Sequence, residues 1–344
     1  LNIAMAESSY HSSLAHSAYH DLLNALRDES VSDLRGTPTR VERNGRIYWY
    51  DSYRVGTDVK KAYIGEDSAQ LRERLEKAAA LKAAAAERRS YRTRLIRILR
   101  AEGFLPIDAA TGGLVAALAS AGVFRLGGTV VGTLAFRLYE GELGVRYRLD
   151  ETAQTNDIDI ASFERLSLAL DDKVDDNLEK LLADFSFAPV PGLDRHRSWR
   201  WRQTRNDLLI EFLTPSFTDN EETRPLQALG VHAQSLHYLN YLLAEPIPAA
   251  IGYRNGVLVQ IPRPERFAIH KLIVSDRRRE GADSLKSIKD RRQAAFLIDI
   301  LARDRPDELR EAYQDALSRG PRWRERLDSA IARVEGLKRR LDGL

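Results

Sequence analysis

Residues 155 to 162 read TNDIDIAS, and the alternation Asp157-Ile158-Asp159-Ile160 constrains the fold more than any other stretch. Period-two alternation is strand spacing, so both isoleucines share one face and both carboxylates the other. Asp is depleted in strands and costly to bury unpaired, so a core strand carrying two of them needs a compensating partner. Carboxylates about 6–7 Å apart along one face repel each other, and a cation between them relieves that repulsion. Mg²⁺ is the natural choice, with Mn²⁺ as its substitute, because it takes hard oxygen ligands and shares them with substrate phosphates. A third acid, Glu211, stands in a second strand pattern among Leu209, Ile210, Phe212 and Leu213. It can complete a two-metal arrangement facing an attacking hydroxyl.

The chain around this stretch has 344 residues, long enough for two or three units. With 43% apolar and 30% charged residues it has the composition of a globular protein. There is no cysteine, which excludes disulfides, thiolate nucleophiles and Cys-based zinc sites and makes the cytoplasm the expected compartment. Met5, the single Met, is the expected natural start, and neither a signal peptide nor a membrane span is expected. The net charge of +3 is unevenly placed: residues 71 to 100 hold ten Lys/Arg against three Glu, and residues 261 to 292 hold ten against five acids. Local basic surfaces therefore carry more information than the total.

Three regions follow from the pattern, at 1–102, 103–220 and 221–344. In the first, helical spacing over 8–28 precedes alternating aromatic and polar residues around the turn signal Asn44-Gly45, a hairpin or small sheet. Tyr48, Tyr50 and Tyr53 either grip a base or cover that sheet. From Ser68 to Glu102 an Ala-, Arg- and Leu-rich run without Gly or Pro predicts one long helix. Its arginines, from Arg88 to Arg100, read either as a phosphate-tracking face or as solvated ion-pair partners.

The middle region alternates: an apolar helix (GGLVAALASAG), a short strand (VFRL), the turn Gly127-Gly128, a helix from near Val130, then the strand of Ile158 and Ile160. That order predicts an α+β core built on a small mixed sheet flanked by helices. Gly127, Gly128 and Thr129 are expected to follow a strand and open a helix, where backbone N–H groups can approach a phosphate. Residues 166–184 are expected to be helical, SWRWRQTRNDLLIEFLTP to form two strands, and the chain beyond the Gly256 hairpin to be helical. Trp199 and Trp201 alternate with Arg200 and Arg202, either as a stacking surface for single-stranded nucleic acid or as core facing inward and Arg facing out. His16 and His20 read as a surface pair, since two ligands do not make a metal site.

Taken in order, strand, Gly-Gly-Thr, helix, Asp-Ile-Asp-Ile and strand acid resemble the nucleotidyltransferase superfamily related to DNA polymerase β. GVFRLGGTVVGTLAF, TNDIDIA, IEFLTP and PERFAIHKLIVSDRRR look like a bacterial nucleotidyltransferase-fold subgroup over roughly residues 104 to 300. One departure is the 28 residues between Gly128 and Asp157, longer than the superfamily's usual spacing. The later basic stretch is similar to AbiEii-type toxin nucleotidyltransferases, which carry a Lys for the triphosphate and then a Lys-Asp pair; Lys271, Lys289 and Asp290 match. The resemblance implies Mg²⁺-dependent transfer of NMP from an NTP to a hydroxyl, with an RNA or tRNA 3′ end favoured over a protein acceptor, and a toxin role. It implies metal binding by Asp157, Asp159 and Glu211 and nucleotide contacts by Gly127, Gly128, Thr129, Lys271, Lys289 and Asp290. The alternative is a non-catalytic module that binds nucleotide or RNA on the same fold.

Overall fold

The computed structural model describes residues 9–32, 34, 36–55, 58–147, 157–163, 173–174, 177–191, 197–279 and 284–344. A two-residue strand β1 (Ser9–Tyr10) precedes helix α1 (Ser13–Ser32), and then come β2 (Thr37–Arg43), β3 (Arg46–Val55) and β4 (Asp58–Glu66). The last three form an antiparallel sheet in the order β2-β3-β4. Asn44 and Gly45 turn it with φ of 52° and 74°, the paired positive angles of a two-residue hairpin loop. Tyr48 and Tyr50 pack with Tyr63 inside the main core, which settles them as a sheet covering.

The helix expected from Ser68 to Glu102 is interrupted twice, giving α2 (Ala69–Glu76), α3 (Ala78–Ala83) and α4 (Ala85–Ala101). Helix α2 buries no residue, so tertiary packing does not hold that stretch of the run straight. Helix α4 buries Arg92, Leu95, Ile96 and Leu99 and packs along α1. Arg92 is fully buried: both terminal nitrogens bond Glu29, Nη2 at 3.0 Å, and Nε donates to the Asn255 carbonyl at 3.0 Å. Arg89, Arg94, Arg97 and Arg100 stay exposed.

Next come α5 (Ala109–Ser120), capped by the Asp108 carboxylate on the Thr111 N–H, β5 (Thr129–Val131), α6 (Gly132–Leu143) and β6 (Val145–Arg146). VFRL is not a strand; it sits in a turn between α5 and β5 whose backbone bonds close locally, Leu126 to Gly122 and Gly128 to Val123. Strand β7 (Asp157–Ala161) leads to α7 (Leu178–Asp184), β8 (Phe187–Pro189), β9 (Arg200–Gln203), β10 (Leu209–Pro215), β11 (Thr223–Leu226) and β12 (Val231–Leu236). Most of the helix expected over 166–184 lies outside the described residues. The central sheet runs β11-β12-β10-β7-β5, with β9 beside the first half of β10 and β8 beside β9. It is mixed: β7, β10 and β12 are parallel and the remaining pairings antiparallel.

The break expected at 220 therefore falls inside the sheet, because β12 pairs with β10. A short helix α8 (Leu239–Leu242) and the hairpin β13 (Ile247–Ile251) and β14 (Val257–Ile261) precede the helical end: α9 (Pro264–Arg277), α10 (Ser284–Asp304), α11 (Pro306–Ser318), α12 (Pro321–Ile331) and α13 (Leu337–Asp342). Helices α9 and α10 pack closely, and one hydrophobic core continues from Tyr48 to Leu341. This is the α+β architecture that the sequence predicts. No helix among the described residues is long and apolar enough to cross a membrane.

Removing Glu29 leaves the Arg92 guanidinium buried without its carboxylate. Glu29→Ala is expected to lower stability by about 3–5 kcal/mol, read from urea unfolding. Arg92→Met in the same background recovers a large share of the loss, since no unpaired charge then remains.

Candidate active site

Strands β7 and β10 lie parallel with Asp157 opposite Leu209, Asp159 opposite Glu211 and Ala161 opposite Leu213. Register partners project to the same side of a sheet, so Asp157, Asp159 and Glu211 share one face. The other face carries Ile158, Ile160, Ile210 and Phe212, each at most 1% exposed. Four buried apolar side chains fix the register, and the register brings the three acids together.

Those acids destabilise one another. Burial, and then the charge of Asp157, push the Asp159 carboxyl up despite Lys271, Arg278 and Lys286. Burial and the Asp159 charge push Glu211 up to about 7, opposed by Arg200. Arg200 faces Glu211 across the antiparallel β9–β10 pair, its Nε 2.7 Å from Oε1 but without the alignment of a hydrogen bond, and its guanidinium lies 4.4 Å over the Trp199 ring. Trp201 is buried edge-on against Phe212, so it belongs to the core and offers no stacking surface. Among the described residues no three His, Cys, Asp or Glu side chains are already gathered closely enough to enclose a metal. The donor chemistry nonetheless suits a hard divalent cation: three carboxylates on one face, two of them strained by burial and by their neighbours.

Helices α9 and α10 supply the cations opposite. Lys271 on α9 donates to Asp290 Oδ1 at 2.5 Å, and Arg278 donates to Asp290 Oδ2 at 2.9 Å. Burial opposes ionisation of Asp290, but Lys271 and Arg278 hold its carboxyl below the ordinary range. Asp290 is thus a tether for two cations, and its charge would repel a phosphate. Burial and then Lys271 lower the Lys289 ammonium to about 8, against the pull of Asp290, Asp157 and Asp159. Lys286, which the sequence does not single out, acts on both Asp159 and Glu211. An exposed Lys on a basic helix has no distinguishing sequence signal.

The glycines need a correction. Gly127 and Gly128 do not follow a strand or open a helix; they close the turn before β5, and Thr129 begins that strand. A Cβ on Gly128 would come within 2.7 Å of the Val123 carbonyl oxygen, so this glycine serves backbone packing. Gly132 opens α6 at φ +66°, and a Cβ there would lie 2.0 Å from Asp159 Oδ2. The Gly-Thr pair occurs twice in GGTVVGTLAF, and the second copy, Gly132-Thr133, is the one against the carboxylates. Thr133 lines a cleft with Asp108, Arg137, Asp157, Asn206 and Asp207. Much of the long spacer before Asp157 is α6 and β6. His16 and His20 stand as the expected pair, their Nε2 atoms 2.9 Å apart.

His270, next to Lys271, gives a measurable pH effect. Burial and then Lys271 hold its imidazole down from 6.5 to about 3, so the unfolded chain binds a proton that the folded chain rejects. The stability associated with neutral His270 is present above pH 6.5 and is lost as pH falls toward 3. His270→Phe is expected to flatten that portion of the acid limb by close to one proton, checked by urea melts across the window.

The model of a family described as nucleotidyltransferase matches residues 109–318, more than half of the chain. The matched span runs from α5 through α11 and contains Gly132, the three acids and the cations of α9 and α10. No curated protein and no solved structure matches the chain. By that match over most of its core and its cation-bearing helices, the chain belongs to this nucleotidyltransferase family.

Proposed function

We propose that the chain transfers a nucleoside monophosphate from an NTP to the hydroxyl of an RNA 3′ end and releases pyrophosphate. The observation that carries this is the register of Asp159 with Glu211, which puts three acids on one sheet face opposite Lys271, Lys289, Lys286 and Arg278. Asp157, Asp159 and Glu211 would hold Mg²⁺, or Mn²⁺ in its place. The cation, when bound, supplies neutralisation of the developing phosphate charge.

The protein's own groups do the rest. Lys271, Lys289 and Arg278 neutralise the triphosphate, with Asp290 fixing two of them. The N-terminus of α6 at Gly132 and Thr133 takes the phosphate role expected of Gly127, Gly128 and Thr129, since that helix start has no side-chain cap and Gly132 lies against Asp159. The acceptor oxygen forms a bond to the α-phosphorus as the bond to pyrophosphate breaks, and Glu211, on the strand beside Asp159, takes the hydroxyl proton. Arg200 lets go of Glu211 as it does so. Positioning and charge neutralisation account for the catalysis, as in other phosphoryl transfers.

RNA is favoured over protein because exposed Arg89, Arg94, Arg97 and Arg100 and the basic ends of α9 and α10 give polyanion-sized surfaces. The test is incubation with each labelled NTP, Mg²⁺ and either total RNA or total protein. Label is expected in RNA and lost in Asp157→Ala; label in protein alone overturns the RNA acceptor, and NTP binding without any transfer favours the non-catalytic module. Growth arrest on expression, relieved by Asp157→Ala, is the readout for a toxin role. Mg²⁺ is expected to raise the melting temperature of the wild type but not of Asp159→Asn, which melts higher than wild type without metal because repulsion falls. Gly132→Ala is expected to keep the circular dichroism spectrum and lose about 100-fold in transfer rate, as a misplaced Asp159 would.

A further inference from the structure

A second basic site lies around the corner from the carboxylates. Arg279, at the end of α9, Arg291 on α10 and Arg333, just past α12, line a shallow surface pocket with Ser284, Ser287 and Ile288. Ser284 is the first residue of the 21-residue helix α10, so the first-turn N–H groups add their dipole to the same pocket. Arg333 is anchored, donating to Ser329 at 3.1 Å with Asp276 at 3.6 Å, and Arg279 lies 3.7 Å from Asp276.

Arg291 differs. Its Nε is buried and has no hydrogen-bond partner among the described residues. Burial and then the charge of Arg333 lower its guanidinium from the ordinary value. Asp276 is one carboxylate shared by Arg279 and Arg333, and Arg291 adds a further positive charge that Arg333 repels, so the pocket beside this helix N-terminus is net positive and favours an anion. Geometry chooses the anion's class: Arg forks and helix N-termini match tetrahedral phosphate oxygens.

The pocket is too open to enclose a small molecule, and it adjoins the catalytic cations residue by residue. Arg278 and Lys286 act on Asp159, while Arg279 and Ser287 line this pocket. A ligand that reaches both must carry more than one phosphate along an extended backbone. We infer that Arg279, Arg291, Arg333 and the N-terminus of α10 bind a backbone phosphodiester of the RNA acceptor, holding the strand while its 3′ hydroxyl reaches the carboxylates. This rests on the nucleotidyl-transfer reading and adds the place where the acceptor is gripped.

The test compares wild type, Arg291→Gln and Arg291→Lys in the full chain, all checked for an unchanged melting temperature. Binding of a labelled single-stranded RNA is measured by anisotropy over a salt series, and NTP binding is measured separately by calorimetry. Arg291→Gln is expected to weaken RNA binding by at least about fivefold and to reduce the slope of log affinity against log salt by about 0.7, with NTP affinity unchanged. Arg291→Lys keeps the slope but not the full affinity, because a point charge replaces the fork. Unchanged RNA affinity and slope in Arg291→Gln overturn the site. Loss of NTP or inorganic phosphate binding instead assigns the pocket to free nucleotide and overturns the RNA assignment. Label transfer from NTP to RNA is followed in parallel at saturating RNA. Transfer that persists with an Arg291-independent RNA affinity defeats this site alone, whereas absence of transfer in the wild type defeats the reading beneath it.

Discussion

The acidic face of the central sheet depends on the parallel register of Asp159 with Glu211. Two carboxylates side by side on neighbouring strands, with Asp157 two residues away, form an arrangement that a sheet would avoid if only its own stability mattered. It persists because the opposite face overrides it. Ile158, Ile160, Ile210 and Phe212 are buried at 0–1% exposure, and a slip of one residue would carry all four to the acidic side. The apolar core thus offsets the cost of the charged face, and the raised carboxyls of Asp159 and Glu211 show the strain it holds in place.

A charged face of this kind needs cations near it that do not collapse onto it. The structure solves this by giving the cations their own acid. Asp290 is almost fully buried and takes the hydrogen bonds of Lys271 and Arg278, whose charges still act on Asp159. Asp276, more than a full turn beyond Lys271 on α9, acts likewise: it binds Arg326 at 3.0 Å and Ser329 at 2.7 Å and so pins α12 to α9. The carboxy-terminal helices therefore belong to the site's scaffold, and the family match running to residue 318 includes α9, α10 and α11.

The sequence disclosed those features that short-range physics decides. Asp157, Asp159 and Glu211 were legible because strict alternation with isoleucine, and an apolar run around a single acid, leave only one way to face the core. The Asn44-Gly45 turn was legible because only a few residues tolerate two positive φ angles in succession. What remained hidden was set by contacts distant in sequence. GGTVVGTLAF holds two Gly-Thr pairs, and which of them meets a carboxylate depends on the pairing of β5 with β7. VFRL has strand composition, yet its backbone bonds are spent on the turn. The long basic helix breaks beside α2, which buries no residue, and Arg92, one of its apparent surface charges, is the most buried large side chain on it because Glu29 is waiting there.

Helical geometry then explains how one pair of helices presents basic side chains on two separate surfaces. Successive residues on a helix point about 100° apart. At the end of α9 that rotation sends Arg278 toward Asp290 and the acids, and Arg279 toward the outer pocket. At the start of α10 it separates Lys286, whose field reaches Asp159 and Glu211, from Ser287, which is buried against the Ser275 carbonyl at 2.6 Å and lines the outer pocket. Because both surfaces hang on the same α9–α10 contact, the distance between them is fixed by backbone packing and not by flexible side chains. An RNA strand gripped at the outer pocket, as proposed, would be presented to the carboxylates at a set separation, the positional advantage that an enzyme working chiefly by orientation requires.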